Sequence, residues 1–215
     1  MKKFAIFDLD GTLVDSMGYW KNLSVEYLTL MGVKEIPADI LERIKPMTVK
    51  ESAALFVSEF SLDATPEQVA ADIAGIMSRH YIEDIPIKPG VAAYLEKLAA
   101  KGVRMCVASA TVEPLIDACL ERLGIRQFFE FTLSCDTVGA GKKSPLVYQR
   151  AAEMLGTGAG DCAVYEDAVF AAQTAKKAGF FVYAVCDQVS RAGWEQLCGI
   201  CDDKIEDWAA AASAL

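Results

Sequence analysis

The sequence predicts an α/β protein with a doubly wound parallel sheet and a helical subdomain inserted after the first strand. Short apolar runs alternate with amphipathic helical patterns along most of the chain, which is typical of a parallel sheet covered by helices on both faces. Residues 16–83 break this alternation, because their apolar residues follow helical spacing. With 53% hydrophobic residues over 215 positions, the chain can bury a core of this size.

Five apolar runs predict the strands of the sheet. These runs are residues 4–7, 103–108, 128–133, 162–165 and 180–185. Helical patterns lie between the strands, for example over residues 91–100 and 147–155, and Gly102 and Gly156 follow these two helices at the usual stop position. This order of elements predicts helices on both faces of the sheet.

The inserted segment has well-marked helix starts. Thr48 with Glu51, and Thr65 with Gln68, match the capping box, in which a hydroxyl and a side chain three residues later satisfy free backbone amides. Two apolar stripes with helical spacing are predicted to face a core. They are Trp20, Leu23, Tyr27 and Leu30, and Val69, Ile73, Ile76 and Met77. We therefore divide the chain into a core domain, residues 1–15 and 84–215, and a helical cap domain, residues 16–83.

Charge and cysteine content restrict the partners and the compartment. The formal net charge of −9 argues against nucleic acid or an anionic membrane surface as a partner. No apolar run approaches the roughly 18 residues that a membrane span needs. The seven cysteines are scattered and no secretory signal is evident, so we expect reduced thiols in a cytoplasmic protein. The lone CxxC at Cys198 and Cys201 has no second pair, and we interpret both residues as ordinary thiols.

Acidic residues follow two of the predicted strands. Asp8 and Asp10 come directly after the first strand, and Glu166 and Asp167 end the run CAVYED. Because ligands of open parallel sheets bind at the carboxyl ends of the strands, these four carboxyl groups are expected to converge on one crevice. Such a site would suit Mg²⁺, which prefers oxygen ligands and bridges to substrate phosphate.

Hydroxyl and ammonium groups are predicted near the same crevice. Ser109 lies just past another strand end, in VASAT, and Lys142 and Lys143 lie at a helix start, in GKKSP. Gly11 and Thr12 would turn the chain sharply and expose backbone amides. Carboxylates, a hydroxyl, an ammonium and a metal ion together are the groups that phosphoryl transfer requires.

These segments resemble, in this order, the four motifs of the haloacid dehalogenase-like superfamily. The motifs correspond to DLDGTLVDS at residues 8–16, to Ser109, to Lys142 and to the pair Glu166 and Asp167. The helical insertion after the first motif resembles the branch that includes β-phosphoglucomutase and phosphoglycolate phosphatase. The resemblance extends over nearly the whole chain and implies the core fold of this superfamily with an inserted helical cap.

The resemblance also implies a role for each acidic residue. Asp8 would be the nucleophile that forms an aspartyl-phosphate. Asp10 would be the general acid for the leaving oxygen and then the general base for water. Mg²⁺ would be held by Asp8, Asp10 through its main-chain carbonyl, and Asp167, with Glu166 acting directly or through water.

Phosphate binding is assigned on the same basis. Ser109 and Lys142 would bind the transferring phosphate. The other residues that we assign to phosphate binding in the core are Leu9, Gly11, Thr12 and Ala110. In the cap, Lys45 and Lys50 flank the Thr48 capping box and would contact an anionic part of the substrate.

The lysine motif departs from the common pattern of the superfamily. Lys143 stands where a proline is usual, and Leu146 stands where an aspartate is usual. Lys142 is therefore the preferred assignment for the motif lysine, and Lys143 is the alternative.

The expected activity is hydrolysis of small phosphate monoesters, with sugar phosphates as a plausible class. The sugar-phosphate mutases of this branch carry a histidine and an arginine in the cap, at positions that here hold Trp20 and Val49. The single histidine, His80, lies far along the insertion and is interpreted as a packed cap residue. A β-phosphoglucomutase-like mutase is the alternative to a phosphatase, and a small phosphorylated metabolite is the expected partner in both cases.

Other functions stay open at this stage. A 2-haloacid dehalogenase would use the first aspartate without a metal ion, and Asp10 and the acidic pair argue against it. A signalling receiver domain also combines acidic residues, a hydroxyl and a lysine in a parallel sheet, although it needs no helical cap. A catalytically silent phosphate-binding protein is a further alternative. The oligomeric state is open, and a monomer is slightly favoured.

Overall fold

The α/β architecture with a doubly wound parallel sheet is confirmed by a computed structural model, which describes residues 2–44 and 47–215. Within these residues the sheet has six strands, all parallel, in the order β3-β2-β1-β4-β5-β6. The strands are β1 (Phe4–Phe7), β2 (Arg104–Ser109), β3 (Thr132–Ser134), β4 (Cys162–Glu166), β5 (Phe181–Val185) and β6 (Asp203–Ile205).

Strand order creates a switch point beside β1. From β1 the chain adds β2 and β3 on one side and then returns to add β4, β5 and β6 on the other side. The crevice at the carboxyl ends of β1 and β4 therefore lies between connections that run in opposite directions, which is where open α/β sheets bind ligands.

The chain separates into two compact units. One comprises Met1–Met17 and Ile85–Leu215, and the other comprises Gly18–Asp84. The helices that pack around the sheet are α5 (Val91–Ala100), α6 (Glu113–Arg122), α7 (Cys135–Val138), α8 (Leu146–Met154), α9 (Val169–Lys177), α10 (Trp194–Ile200) and α11 (Trp208–Ala214).

Apolar side chains fill both faces of the sheet, as a parallel sheet covered by helices requires. Ile6, Val164 and Val182, on three adjacent strands, are fully buried in one core cluster. Aromatic rings stack along the sheet. Phe7 and Tyr165 have ring centroids 4.2 Å apart, and Tyr165 and Tyr183 have centroids 4.6 Å apart. This packing makes β1 and β4 a rigid platform for the residues that follow them.

The second unit is helical. Its helices are α1 (Met17–Leu30, whose first residue belongs to the sheet unit), α2 (Ala38–Ile44), α3 (Val49–Phe60) and α4 (Pro66–Glu83). Both predicted capping boxes are confirmed: Thr48 and Glu51 cap α3, and Thr65 and Gln68 cap α4. Each box satisfies backbone amides that would otherwise lack a partner at the first turn, so the two helix starts are defined locally.

The two predicted stripes differ in outcome. All four residues of the α4 stripe are buried. In α1, Leu23 and Tyr27 are buried, but Trp20 is 40% exposed and Leu30 is 60% exposed. The prediction for these two residues is wrong, because helical spacing shows which residues share a face but not how far a neighbouring helix covers that face.

Two strand predictions need correction. Residues 128–131 precede β3, and Arg126–Phe128 form a 3₁₀ turn instead of strand. β6 was not predicted, because it is a three-residue edge strand with two exposed charged residues and lacks a buried apolar run. In the described part of the chain, no helix has the length and apolar character needed to cross a membrane.

Candidate active site

Three of the four predicted acidic residues meet at the switch point of the sheet. Asp8 directly follows β1, Glu166 is the last residue of β4, and Asp167 comes next. Phe7 and Tyr165 are partners in register, and the backbone amide of Asp8 donates to the Tyr165 carbonyl at 3.1 Å. Hydrogen bonding between the two strands therefore sets the spacing of their terminal carboxylates.

These residues form a buried carboxylate cluster. Ligand oxygens of Asp8, Glu166 and Asp167 all lie within 4.8 Å of one another. Lys142, in the loop before α8, donates to Asp8 Oδ1 and, at 2.6 Å, to Glu166 Oε1. Lys142 is buried whereas Lys143 is exposed, so the structure brings the preferred lysine into the cluster.

Burial and mutual repulsion raise the pKa values of two acidic groups in the cluster. Burial raises the pKa of Asp8 well above its ordinary value; Lys142 opposes this rise, and the Glu166 and Asp167 carboxylates add to it. Burial, together with the Glu166 charge, raises the pKa of Asp167 to about 7. Although burial alone would lower the pKa of Lys142, the Asp8 and Glu166 carboxylates raise it above its usual range. The cluster thus favours additional positive charge.

The donor set fits a hard divalent cation. Among the described residues, Glu166 Oε2 is buried and has no hydrogen-bond partner. Glu166 contributes one carboxylate oxygen to the cluster with Asp8 and Asp167. One ammonium, from Lys142, leaves two of the three carboxylate charges uncompensated when all are ionised. A buried, oxygen-only set with this charge deficit is suited to Mg²⁺.

Gly11 allows the first motif to approach Asp167. Its φ of +74° lies in the left-handed region, and a Cβ atom built on it would lie 2.8 Å from Asp167 Cγ. One prediction about this turn is corrected: its amides are not exposed. Gly11 N–H donates to the Val14 carbonyl at 3.0 Å, and Thr12 N–H donates to the Leu9 carbonyl at 3.3 Å. These amides stabilise the turn, and the structure gives no support for their binding phosphate.

The Asp10 carboxyl group is surrounded by hydroxyl groups of the sheet unit. Ser16 Oγ donates to its Oδ1 at 2.6 Å, and Thr111 Oγ1 donates to its Oδ2 at 2.8 Å. Ser109 Oγ lies 3.5 Å from the same Oδ2, so the structure brings the second motif to Asp10. The Asp10 carboxyl group is not part of the carboxylate cluster, and its side chain is therefore not placed as a metal ligand.

Three contacting residues were missed by sequence reasoning. Ser16 and Thr111 are the last residues of the segments DLDGTLVDS and VASAT, but a serine or a threonine there is typical of loops and does not indicate a contact with Asp10. Tyr148, in α8, donates its hydroxyl to Glu166 Oε1 at 2.6 Å. In the sequence, Tyr148 is marked only by its position six residues after Lys142, and an aromatic residue at such a position indicates a core residue.

The other residues assigned to phosphate or substrate binding differ in their exposure. Leu9 is fully buried in the core, and Thr12 Oγ1 is buried without a partner among the described residues. Ala110 is exposed next to Ser109. Lys50 is exposed in the first turn of α3, and Lys45 lies outside the described residues, so their role in substrate binding stays a prediction.

The helical unit contains a cavity of about 610 Å³. Trp20 and Val49, the two positions where the mutases carry histidine and arginine, both line it. Most of its lining residues are apolar, and Lys21 is the charged residue among those described there. The cavity therefore offers apolar and aromatic contacts at the two positions used to separate mutase from phosphatase.

Comparison with known proteins identifies a family. The family model described as "Hydrolase: haloacid dehalogenase-like hydrolase" matches residues 2–179. The bifunctional riboflavin kinase/FMN phosphatase of Arabidopsis thaliana is 28% identical over 181 residues. That match covers 84% of this chain and 47% of the Arabidopsis protein, so the chain spans about half of that relative's length.

Two further similarities concern a phosphatase and a solved fold. The phosphorylated carbohydrates phosphatase of Thermotoga maritima is 25% identical over 174 residues, covering 81% of this chain and 80% of that protein. The crystal structure of CbbY from Rhodobacter sphaeroides, in complex with phosphate, superposes with a TM-score of 0.76 at 23% identity and covers all of both chains. The latter similarity supports the fold alone.

Proposed function

The chain belongs to the haloacid dehalogenase-like hydrolase family, and we propose that it is a Mg²⁺-dependent phosphatase of small phosphate monoesters. The observation that carries this proposal is the buried cluster of Asp8, Lys142, Glu166 and Asp167 at the carboxyl ends of β1 and β4. Sugar phosphates are the first substrates to test, given the similarity to a phosphatase of phosphorylated carbohydrates.

Asp8 is the proposed nucleophile. One of its carboxylate oxygens bonds to the substrate phosphorus while the bond from phosphorus to the ester oxygen breaks, which yields an aspartyl-phosphate. Burial at the end of a rigid strand limits the orientations of this carboxylate, which favours attack along one direction. The ammonium of Lys142 contacts Asp8 and would reduce the repulsion between this carboxylate and an anionic phosphate.

Asp10 is the proposed acid and base. As a carboxylic acid it would donate a proton to the departing ester oxygen, and as a carboxylate it would then accept a proton from the water that hydrolyses the aspartyl-phosphate. The hydroxyls of Ser16 and Thr111 hold its two carboxyl oxygens. Asp10 is thus held by hydroxyl groups whereas Asp8 contacts the Lys142 ammonium, so the two carboxyl groups have different partners and can take different roles.

Asp8, Glu166 and Asp167 would hold the metal ion. When bound, Mg²⁺ would balance the charge of the carboxylates and polarise the phosphoryl oxygens. This assignment is supported by Glu166 Oε2, which has no hydrogen-bond partner among the described residues, and by the raised pKa values of Asp8 and Asp167.

Hydrolysis is favoured over the mutase alternative because Trp20 and Val49 stand where the mutases of this branch carry a histidine and an arginine. In a mutase reaction both the substrate and the product are sugar phosphates, so the enzyme must bind an anionic group throughout. Charged side chains recognise such groups best. Trp20 and Val49 present aromatic and aliphatic surface instead. The lack of a histidine and an arginine at these two positions supports hydrolysis.

The test is release of inorganic phosphate from a panel of phosphorylated metabolites, with Mg²⁺ and with EDTA. We expect turnover that requires Mg²⁺ in the unaltered chain and none in Asp8→Asn, with unchanged circular dichroism. Asp63→Asn, at an exposed position, is the matched control and should retain activity. Turnover by Asp8→Asn would refute the nucleophile assignment.

Other outcomes would identify the alternatives. Isomerised sugar phosphate without net phosphate release would establish a mutase. Halide release from a 2-haloacid in EDTA would establish a dehalogenase. Stoichiometric phosphate uptake without turnover would indicate a receiver-like protein, and no reaction with any compound of the panel would favour a silent binding protein.

A further inference from the structure

We propose that Tyr148 is a positioning residue that orients Glu166 for metal binding, an inference that rests on the Mg²⁺ site of the proposed function. The phenol hydroxyl of Tyr148 donates to Glu166 Oε1 at 2.6 Å. The ammonium of Lys142 donates to the same oxygen, also at 2.6 Å. Two donors therefore occupy Oε1.

The other oxygen of this carboxylate is left for a cation. Glu166 is fully buried, and its Oε2 has no hydrogen-bond partner among the described residues. A buried carboxylate oxygen without a donor is costly unless a positive group reaches it. Two donors hold Oε1, so rotation of the carboxylate is restricted. Glu166 contributes one oxygen to the cluster with Asp8 and Asp167, and we infer that Oε2 is the oxygen available to a cation there.

Tyr148 is itself held firmly enough to act in this way. It is fully buried in α8, and its ring packs edge-on against Phe180, with centroids 6.2 Å apart. The Lys142 ammonium lies 6.0 Å from the centroid of the Tyr148 ring. Glutamate has one more rotatable bond than aspartate, so a fixed donor is more useful at Glu166 than it would be beside Asp167.

A core aromatic residue without this role would behave differently on substitution. Tyr148→Phe keeps the ring and its packing and removes only the hydroxyl. If the ring alone matters, this change leaves metal binding as it is. If the hydroxyl orients Glu166, Mg²⁺ affinity falls by roughly 10- to 100-fold, as is typical when a hydrogen bond to a metal ligand is lost.

The experiment measures Mg²⁺ binding directly, by isothermal titration calorimetry of the full chain without substrate. Tyr94→Phe is the matched control, because Tyr94 is also buried and its hydroxyl contacts the Tyr165 hydroxyl at 3.1 Å instead of a carboxylate. We expect weaker binding in Tyr148→Phe only. The Mg²⁺ concentration for half-maximal phosphate release should rise in parallel, while kcat at saturating Mg²⁺ recovers.

The outcomes separate this inference from the proposed function. Equal Mg²⁺ affinity in Tyr148→Phe and the unaltered chain would overturn the role of Tyr148 and leave the phosphatase proposal intact. Equal weakening in Tyr94→Phe would also overturn it, because the effect would then follow from losing any buried hydroxyl. An unaltered chain that hydrolyses phosphate esters without binding Mg²⁺ would overturn both the metal site and this inference.

Discussion

Gly11→Ala tests whether close packing of the first motif against Asp167 is required for activity. Gly11 has a φ of +74°, and a new Cβ atom would lie 2.8 Å from Asp167 Cγ and 3.0 Å from Met17 Cγ. Separations below about 3 Å are not tolerated between such atoms, so the Asp167 carboxylate must move away. We expect this displacement to weaken metal binding and to reduce turnover.

Gly102→Ala separates the steric effect from the effect of backbone conformation. Gly102 has nearly the same φ, +75°, but no atom of the described residues lies within 4 Å of its Cβ position. It also precedes β2, at the edge of the sheet opposite the carboxylates. Left-handed conformation costs a residue with a Cβ atom roughly 1–2 kcal/mol, and the stiffer unfolded chain offsets part of this, so Gly102→Ala should lose about 1 kcal/mol of stability. Gly11→Ala should lose more, because its Cβ atom also overlaps Asp167.

Only Gly11→Ala should lose function beyond this shared cost. A shift of a catalytic group by about 1 Å can reduce the rate by roughly 100-fold, which corresponds to about 2.7 kcal/mol. The assays are urea unfolding for stability, Mg²⁺ titration calorimetry for affinity, and phosphate release for turnover. If Gly11→Ala matches Gly102→Ala in Mg²⁺ affinity and in turnover, the packing argument is wrong.

Two further predictions concern acid catalysis and pH. Thr111→Val removes a hydroxyl that donates to Asp10, so we expect kcat/KM, which reports the phosphoryl transfer to Asp8, to fall about tenfold for alkyl phosphates. The fall should be smaller for p-nitrophenyl phosphate, whose leaving group needs little protonation, and an equal fall in kcat/KM for both substrates would contradict this role. Burial tends to lower the pKa of His80, but hydrogen bonds to Glu26 and Asp84 raise it above its ordinary value of about 6.5. Protonated His80 therefore stabilises the folded state. This contribution is present in full below about pH 6.5 and is lost as the pH rises through the raised folded-state pKa. Urea unfolding from pH 5.5 to 8.5 should show that His80→Gln removes this part of the pH dependence, and an unchanged pH profile in the variant would contradict the prediction.

The local features of the fold were predictable because they are encoded in short segments. The apolar run before Asp8 coincides with β1 over Phe4–Phe7, and both capping boxes form as predicted. Hydrophobic spacing and cap residues act within a few positions along the chain, so they can be recognised without knowledge of the fold. Weak edge elements such as β6 depend on neighbouring strands and lack such a signal.

The candidate site was predictable in its residue types but not in its contacts. The acidic pairs, Ser109 and the two lysines were identified from their positions at strand ends and helix starts. The hydrogen bonds from Thr111 to Asp10 and from Tyr148 to Glu166 were not, because these partners are separated by 101 and 18 positions in sequence. Threonine and tyrosine are also common in loops and cores, so neither residue type indicates such a role by itself.

The amino-acid sequence alone determined the sheet architecture, the inserted helices and the chemical groups available for phosphoryl transfer, since these follow from periodicity and residue type. Tertiary structure alone decided which groups meet. It buries Lys142 against Asp8 and Glu166 and leaves Lys143 exposed, and it places the Asp10 carboxyl group beside the hydroxyls of Ser16 and Thr111. The physical reason is that parallel pairing of β1 with β4 brings residues more than 150 positions apart to the same end of the sheet. Because a buried charge needs a partner of opposite charge, the contacts made there determine the role of each charged group.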